Sequence, residues 1–130
     1  MNNKSILLGP KVSRWQYLKE LAESKAIVSP YGYGEICYRD METFLAGAIL
    51  IKPPMEHLNT YPSLYEPWKT YVPVEMDFSD LPNTLTDIEK NYEKYLPIAE
   101  EGQRRFLAFV NNPNDFISHL KSVLSQAGIE

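Results

Sequence analysis

The stretch Ala26–Pro53, AIVSPYGYGEICYRDMETFLAGAILIKP, decides the fold. It opens on a short apolar run, Ala26 to Val28, which stops at Ser29-Pro30 and reads as a β-strand. It closes on a second run, Ala48 to Ile51, apolar at every position as strands buried on both faces are. Between them, Arg39 to Ala46 places Met41, Phe44 and Leu45 on one helical face, and Gly47 stands where a helix-ending glycine belongs. Strand, helix and strand joined by short links predict a right-handed crossover and parallel pairing.

The flanks extend this pattern. Upstream, Ser5 to Leu8 (SILL) is a short apolar run ended by Gly9-Pro10 and reads as a strand. Val12 to Glu23 has apolar residues at Val12, Trp15, Leu18, Leu21 and Ala22, a helical spacing. Ser13 and Gln16 form the S-x-x-Q pattern of a capping box, with Val12 and Tyr17 placed for a hydrophobic staple. Downstream, Pro53–Pro73 carries Pro53, Pro54, Pro62, Pro67 and Pro73 among Tyr61, Tyr65, Trp68 and Tyr71, with no surviving period. It predicts an ordered aromatic loop that ends in a fourth strand over Thr70 to Val74, with Trp68 and Tyr71 in the core. Loops of this length in compact domains usually serve a function.

After Asp77 the sequence turns helical. Leu81, Leu85, Ile88 and Tyr92 form one stripe; Pro97 suits the first turn of a following helix that buries Ile98, Phe106, Phe109 and Val110. Asn114 suits the N-cap of a last helix through Phe116, Ile117, Leu120, Val123 and Leu124, ended by Gly128. The expected fold is a single α/β domain over residues 1–130: a three-layer Rossmann-like parallel sheet of about four strands, helices on both faces, and a helical tail from about residue 80.

Composition narrows the function classes. A formal net charge of −4 argues against a nucleic-acid partner, which would favour a basic face. The one cysteine, Cys37, excludes an internal disulfide and suits a reducing, cytoplasmic setting; it reads as a small half-buried residue, with no histidine near it in sequence to make it a nucleophile. The longest apolar run, Ala48 to Ile51, is too short for an integral membrane segment, so any membrane association is expected to be peripheral, at the inner face. MNNKSILLGPK has neither the apolar core nor the cleavage site of a signal peptide.

The candidate site follows from the fold. In an open parallel sheet, ligands sit outside the carboxyl ends of the strands. Tyr31 to Tyr38 is such a loop and leads directly into a helix, whose free N–H groups and dipole attract an anion. Gly32 and Gly34 let backbone approach a ligand closely, and Arg39 on the first turn offers a forked contact to phosphate. Glu35 and Glu42 would repel a bare phosphate but suit one that carries sugar hydroxyls, which points to a nucleotide sugar. An Arg39–Glu42 or Arg39–Glu35 salt bridge accounts for the same charges without a ligand. Lys52, ending its strand, points toward the same edge. His57 in the next loop reads as a surface residue or a base. Tyr31, Tyr33 and Tyr38 suit packing under the loop or stacking on a nucleobase. His119 is assigned no role. No D-x-D pair and no metal-ligand cluster is visible, so neither a metal nor another cofactor is expected.

The pieces ILLGPKVS, YLKELAESK, AIVSP, YGYGE, RDMETFLAGA and ILIKP, in this order from Ile6 to Pro53, resemble the carboxyl-terminal, donor-binding half of GT-B glycosyltransferases. The spelling GEICYRD-x-E-x-x-L-A-G-A is most similar to a bacterial branch that also resembles exostosin-type and spore-coat-type enzymes. Pro67 to Val74 matches more loosely, and the helical tail in type only. The resemblance implies that Glu42, five residues before Gly47, holds a nucleotide ribose. It implies a donor-sugar contact for Glu35, which stands one residue closer to Glu42 than the family pattern places it. Glu35 and His57 are the candidate catalytic residues; Gly32, Gly34, Arg39, Glu42 and Lys52 are the candidate donor-binding residues. Because such an enzyme works between two lobes of about six strands each, the resemblance also implies an acceptor-binding lobe, in the same gene product or a partner chain. This chain alone is then expected to bind donor with little turnover. The rival expectation is a non-catalytic Rossmann-like binding or protein-interaction module.

Overall fold

The computed structural model describes residues 10–129. The elements run α1 (Arg14–Glu23), β1 (Ala26–Val28), α2 (Tyr38–Ala46), β2 (Ile49–Lys52), β3 (Val72–Pro73), α3 (Leu81–Lys90), α4 (Tyr92–Val110) and α5 (Pro113–Gln126). The three strands form an open parallel sheet in the order β1-β2-β3, with Ala26 paired to Ile49, Val28 to Ile51 and Ile51 to Val72. About four strands were expected; the described residues carry three, and the strand expected at Ser5–Leu8 lies outside them.

Alternation along β2 makes two cores. Ile49 and Ile51 join Val72 and Val74 against Ile88 of α3 and Tyr95, Ile98 and Ala99 of α4. Leu50 turns the other way, with Tyr71, and packs on Phe44 of α2 and on Met55, Leu64 and Tyr65 of the long loop. β2 is therefore buried at every position, the apolar Ile49–Ile51 and the closing Lys52 alike. Gly47 ends α2 at φ 70°, a left-handed turn glycine adopts without strain. Its N–H bonds Phe44 O at 3.1 Å, and Ala48 N–H bonds Thr43 O at 3.2 Å. At α1, Ser13 Oγ accepts from Gln16 N–H at 3.2 Å, while the Gln16 amide donates onward to Glu20 Oε1 at 2.7 Å instead of closing the capping box.

Several details of the later half depart from expectation. Tyr92 does not continue the stripe of α3, because the helix ends at Asn91 and Tyr92 opens α4. Pro97 accordingly lies inside α4, on its solvent side. Its missing N–H leaves the Glu93 carbonyl without a helical partner, at a place where water can serve. The N-cap of α5 is Asn112 with Pro113 behind it, not Asn114. Trp68 is exposed rather than buried: the chain reverses over Glu66–Tyr71 with Trp68 at φ 63°, which turns its indole outward and Tyr71 inward. Leu85 and Val110 also face solvent.

The long loop is ordered by α4. Arg105 donates to Glu101 Oε1 at 2.8 Å, to Ser63 O at 2.9 Å and to Glu66 Oε2 at 2.9 Å, while Arg104 holds both oxygens of Glu101 at 2.7 Å. Arg104 first, then Arg105, lowers the Glu101 carboxyl from its ordinary 4.5 to about 2. A carboxyl depressed in the folded state contributes stability that is fully present above pH 4.5 and lost as pH falls toward 2. The variant Arg104→Met should therefore show a shallower fall of unfolding free energy across that window, measured by urea unfolding at successive pH values. An unchanged slope would mean that Arg104 contributes none of this acid sensitivity.

Candidate functional site

The carboxyl ends of β1 and β2 open onto the loop Ser29–Cys37, the start of α2 and the loop after Pro53. Beneath this mouth lies a buried polar cluster. Lys52 and Asp40 both have 0% side-chain exposure, and Lys52 Nζ stands 3.2 Å from Asp40 Oδ2. Asp40 also accepts from Ser29 Oγ at 2.5 Å, from Tyr65 OH at 2.8 Å and from Cys37 N–H at 3.2 Å. Lys52 donates in addition to Ser29 O at 3.3 Å and lies 5.3 Å from the centre of the Tyr31 ring, with Cys37 Sγ at 3.9 Å. Each partner is thus supplied with counter-charge and hydrogen bonds, the condition for burying charge. Burial first, then the charge of Asp40, pushes the Tyr65 phenol well up, so it stays a donor. The cluster ties the end of β1, the end of β2, the first turn of α2 and the long loop together.

Lys52, expected at the ligand edge, is committed below it to Asp40. Asp40 was not singled out from sequence. One signal points to it: an aspartate in the first turn of α2 is placed to supply a counter-charge to Lys52, once that lysine is buried.

Above the cluster, Glu35 and His57 come together from two loops, with Glu35 Oε1 3.3 Å from His57 Nε2 and both partly exposed. Tyr31, half-buried, leans toward His57 with ring centres 6.5 Å apart, and its hydroxyl donates to Pro54 O. Its own backbone N–H first, then His57, holds the Glu35 carboxyl below the usual range. It is therefore a carboxylate at neutral pH: an acceptor of hydroxyls or a base, not a proton donor. Neither Gly32 nor Gly34 has a left-handed φ. A Cβ at Gly34 would meet nothing within 4 Å, and one at Gly32 only Cys37 Sγ at 3.7 Å. The fold itself does not require glycine there; what the glycines leave is bare, approachable backbone.

Arg39 and Glu42 form the second grouping, one turn apart on α2 and facing α1. Tyr17 OH donates to Glu42 Oε2 at 2.6 Å. Burial first, then Glu42, pushes the Tyr17 phenol up, while the Arg39 guanidinium beside the same oxygen acts the other way. Among the described residues Arg39 makes no ion pair within 4.0 Å, with Glu42, Glu35 or any other carboxylate. The sequence places Tyr17 for a staple with Val12 and gives no sign of its role here; only the packing of α1 on α2 brings it to Glu42. Tyr33 and Tyr38 stand in solvent.

Away from this edge, an open cleft of about 440 Å³ lies between Tyr61, Ser63, Phe109 and Asp115, its two arginines, Arg104 and Arg105, already paired. His119 stacks on Tyr61 at 3.8 Å between ring centres. Among the described residues, no three His, Cys, Asp or Glu side chains converge as a metal site would need, and no helix is long and apolar enough to cross a membrane. No protein-family model matches the chain, and no curated protein is significantly similar to it.

Proposed function

We propose that the mouth of this sheet binds the diphosphate and ribose of a nucleotide sugar, as the donor-binding part of a glycosyltransferase. The observation that carries the reading is the state of Arg39: an exposed guanidinium on the first turn of α2, without an ion pair among the described residues, one turn from the Glu42 carboxylate. A cation at a helix start and a carboxylate beside it suit the two halves of a nucleoside diphosphate, phosphate and ribose. Gly32 and Gly34 put no side chain in the way of a pyrophosphate, with the Gly32 N–H held by Gly34 O at 3.0 Å. Glu35, ionised and steadied by His57, is placed to accept hydroxyls of the donor sugar. Lys52 acts in this scheme through Asp40, by fixing the start of α2 rather than by touching the ligand. The finer fold reading goes with it: a Rossmann-like, three-layer lobe, which works against an acceptor-binding lobe in a cytoplasmic enzyme. Departure of the nucleoside diphosphate would be eased electrostatically by Arg39 and the helix start.

Titration with UDP, GDP and their sugars, followed by backbone amide shifts, tests this. Shifts should centre on Gly34 and Arg39. Glu42→Ala should weaken UDP-sugar binding about tenfold, the order expected for one hydrogen bond to a charged group, and leave inorganic phosphate binding unchanged. Equal weakening of both would count against a ribose contact.

A second reading, a protein-interaction module, is favoured by α5. Its Phe116, Ile117, Leu120, Val123 and Leu124 lie along one side of the helix and all are exposed. Absence of any nucleotide shift at millimolar concentration would favour that reading over the first.

A further inference from the structure

We infer that Tyr17 is a positioning residue that aims the Glu42 carboxylate at a ribose hydroxyl, so that the site holds ribonucleoside diphosphates in preference to their deoxy counterparts. The inference rests on the nucleotide reading above. A glutamate on the outer face of a helix samples several rotamers, and ordering it on binding costs entropy that subtracts from affinity. Here that ordering is present before any ligand arrives. The ring of Tyr17 is half-buried between α1 and α2, and its hydroxyl takes Glu42 Oε2 at 2.6 Å. The other carboxylate oxygen, Oε1, accepts no hydrogen bond among the described residues. A phenol that donates to one oxygen fixes the direction of the second, which has no protein donor among the described residues.

The geometry also sets the roles of the neighbours. Tyr17 must donate to Glu42, since a carboxylate only accepts. Arg39 lies beside the same phenol and acts on it oppositely to Glu42, and it makes no ion pair within 4.0 Å among the described residues. Arg39 and Glu42 are spaced for direct pairing along the helix, yet the described ion pairs include none between them, and Glu42 is held by the Tyr17 phenol instead.

The test compares the affinities of wild-type chain and Tyr17→Phe for UDP, or GDP if that is the base bound, and for the matching 2′,3′-dideoxynucleotide, by titration calorimetry. Wild type should prefer the ribonucleotide by about tenfold, the value of one charge-assisted hydrogen bond. In Tyr17→Phe the preference should shrink to about twofold or less, with dideoxynucleotide affinity and melting temperature held. A merely structural role would lower the melting temperature and weaken both ligands together; that result, or a preference kept intact in Tyr17→Phe, overturns the inference while leaving the nucleotide reading standing. A wild type that binds neither nucleotide overturns the nucleotide reading and the inference with it.

Discussion

Replacing Lys52 with methionine is expected to lower the unfolding free energy by about 3–5 kcal/mol, the range for removing one partner of a buried ion pair. Methionine fills a similar volume, so the loss is electrostatic rather than a cavity. It leaves Asp40 at 0% exposure with only neutral donors: the Ser29 and Tyr65 hydroxyls and the Cys37 N–H. Asp40→Asn is the mirror experiment. The Lys52 ammonium would keep Ser29 O and the face of Tyr31 but lose its counter-charge. Because the cost of each single change is mainly the orphaned charge, the double variant Asp40→Asn/Lys52→Met should cost less than the two singles summed, by about 1–3 kcal/mol, as coupled neighbours do. Urea unfolding of the four proteins measures the cycle. Singles that cost under about 1 kcal/mol, or a strictly additive double, would mean that water reaches the pair and screens it.

The same cluster explains why the mouth of the sheet can stay open. Parallel strands end in carbonyls that need partners. Here Ser29 N–H bonds Ile51 O at 2.8 Å and Val74 N–H bonds Lys52 O at 3.1 Å, while the Ser29 carbonyl is taken by the Lys52 ammonium. With these groups satisfied from below, the loop above them is free to present Glu35, His57 and bare glycine backbone outward.

The crossover was legible in the sequence because local and global signals agreed there. An all-apolar strand fits a sheet covered on both faces, and Gly47 fits the left-handed turn at φ 70°. The placement of site residues was less legible, for a consistent reason. Glu35 and His57 meet across 22 residues of chain, and Tyr17 and Glu42 across 25. Neither distance is a spacing that helix or strand periodicity encodes. Lys52 was misplaced because a terminal lysine reads as solvated by default, and only the burial of β2 to its last residue shows otherwise. Helix ends in the tail are less legible because Pro97 spells a start signal, whereas the chain tolerates it inside α4 on the solvent side. Trp68 went outward because one left-handed residue in the Glu66–Tyr71 reversal inverts which aromatic faces the core, and no composition rule marks which one.

Gly102→Ala is expected to destabilise the fold by about 1–3 kcal/mol, the usual cost of overpacking a well-filled core. On helix propensity alone the sign would be opposite, since alanine in a helix interior gains about 1 kcal/mol over glycine. The crossing of α4 on α2 decides the contest. A Cβ at Gly102 would lie 2.8 Å from Phe44 Cδ1, 3.0 Å from Phe44 Cε1 and 3.1 Å from Thr70 O. None of these can yield cheaply. Phe44 is 1% exposed and its ring is held against Tyr65 and Phe106, and Thr70 O belongs to the backbone entering β3. Gly102 is thus the point where α4 passes from the face carrying Tyr95 and Ile98 to the one carrying Phe106. A shorter partner should give relief, so Phe44→Leu/Gly102→Ala should be more stable than the sum of its singles predicts. Thermal and urea unfolding of the set would check this, and a Gly102→Ala protein more stable than wild type would show that the two helices stand farther apart than these distances require.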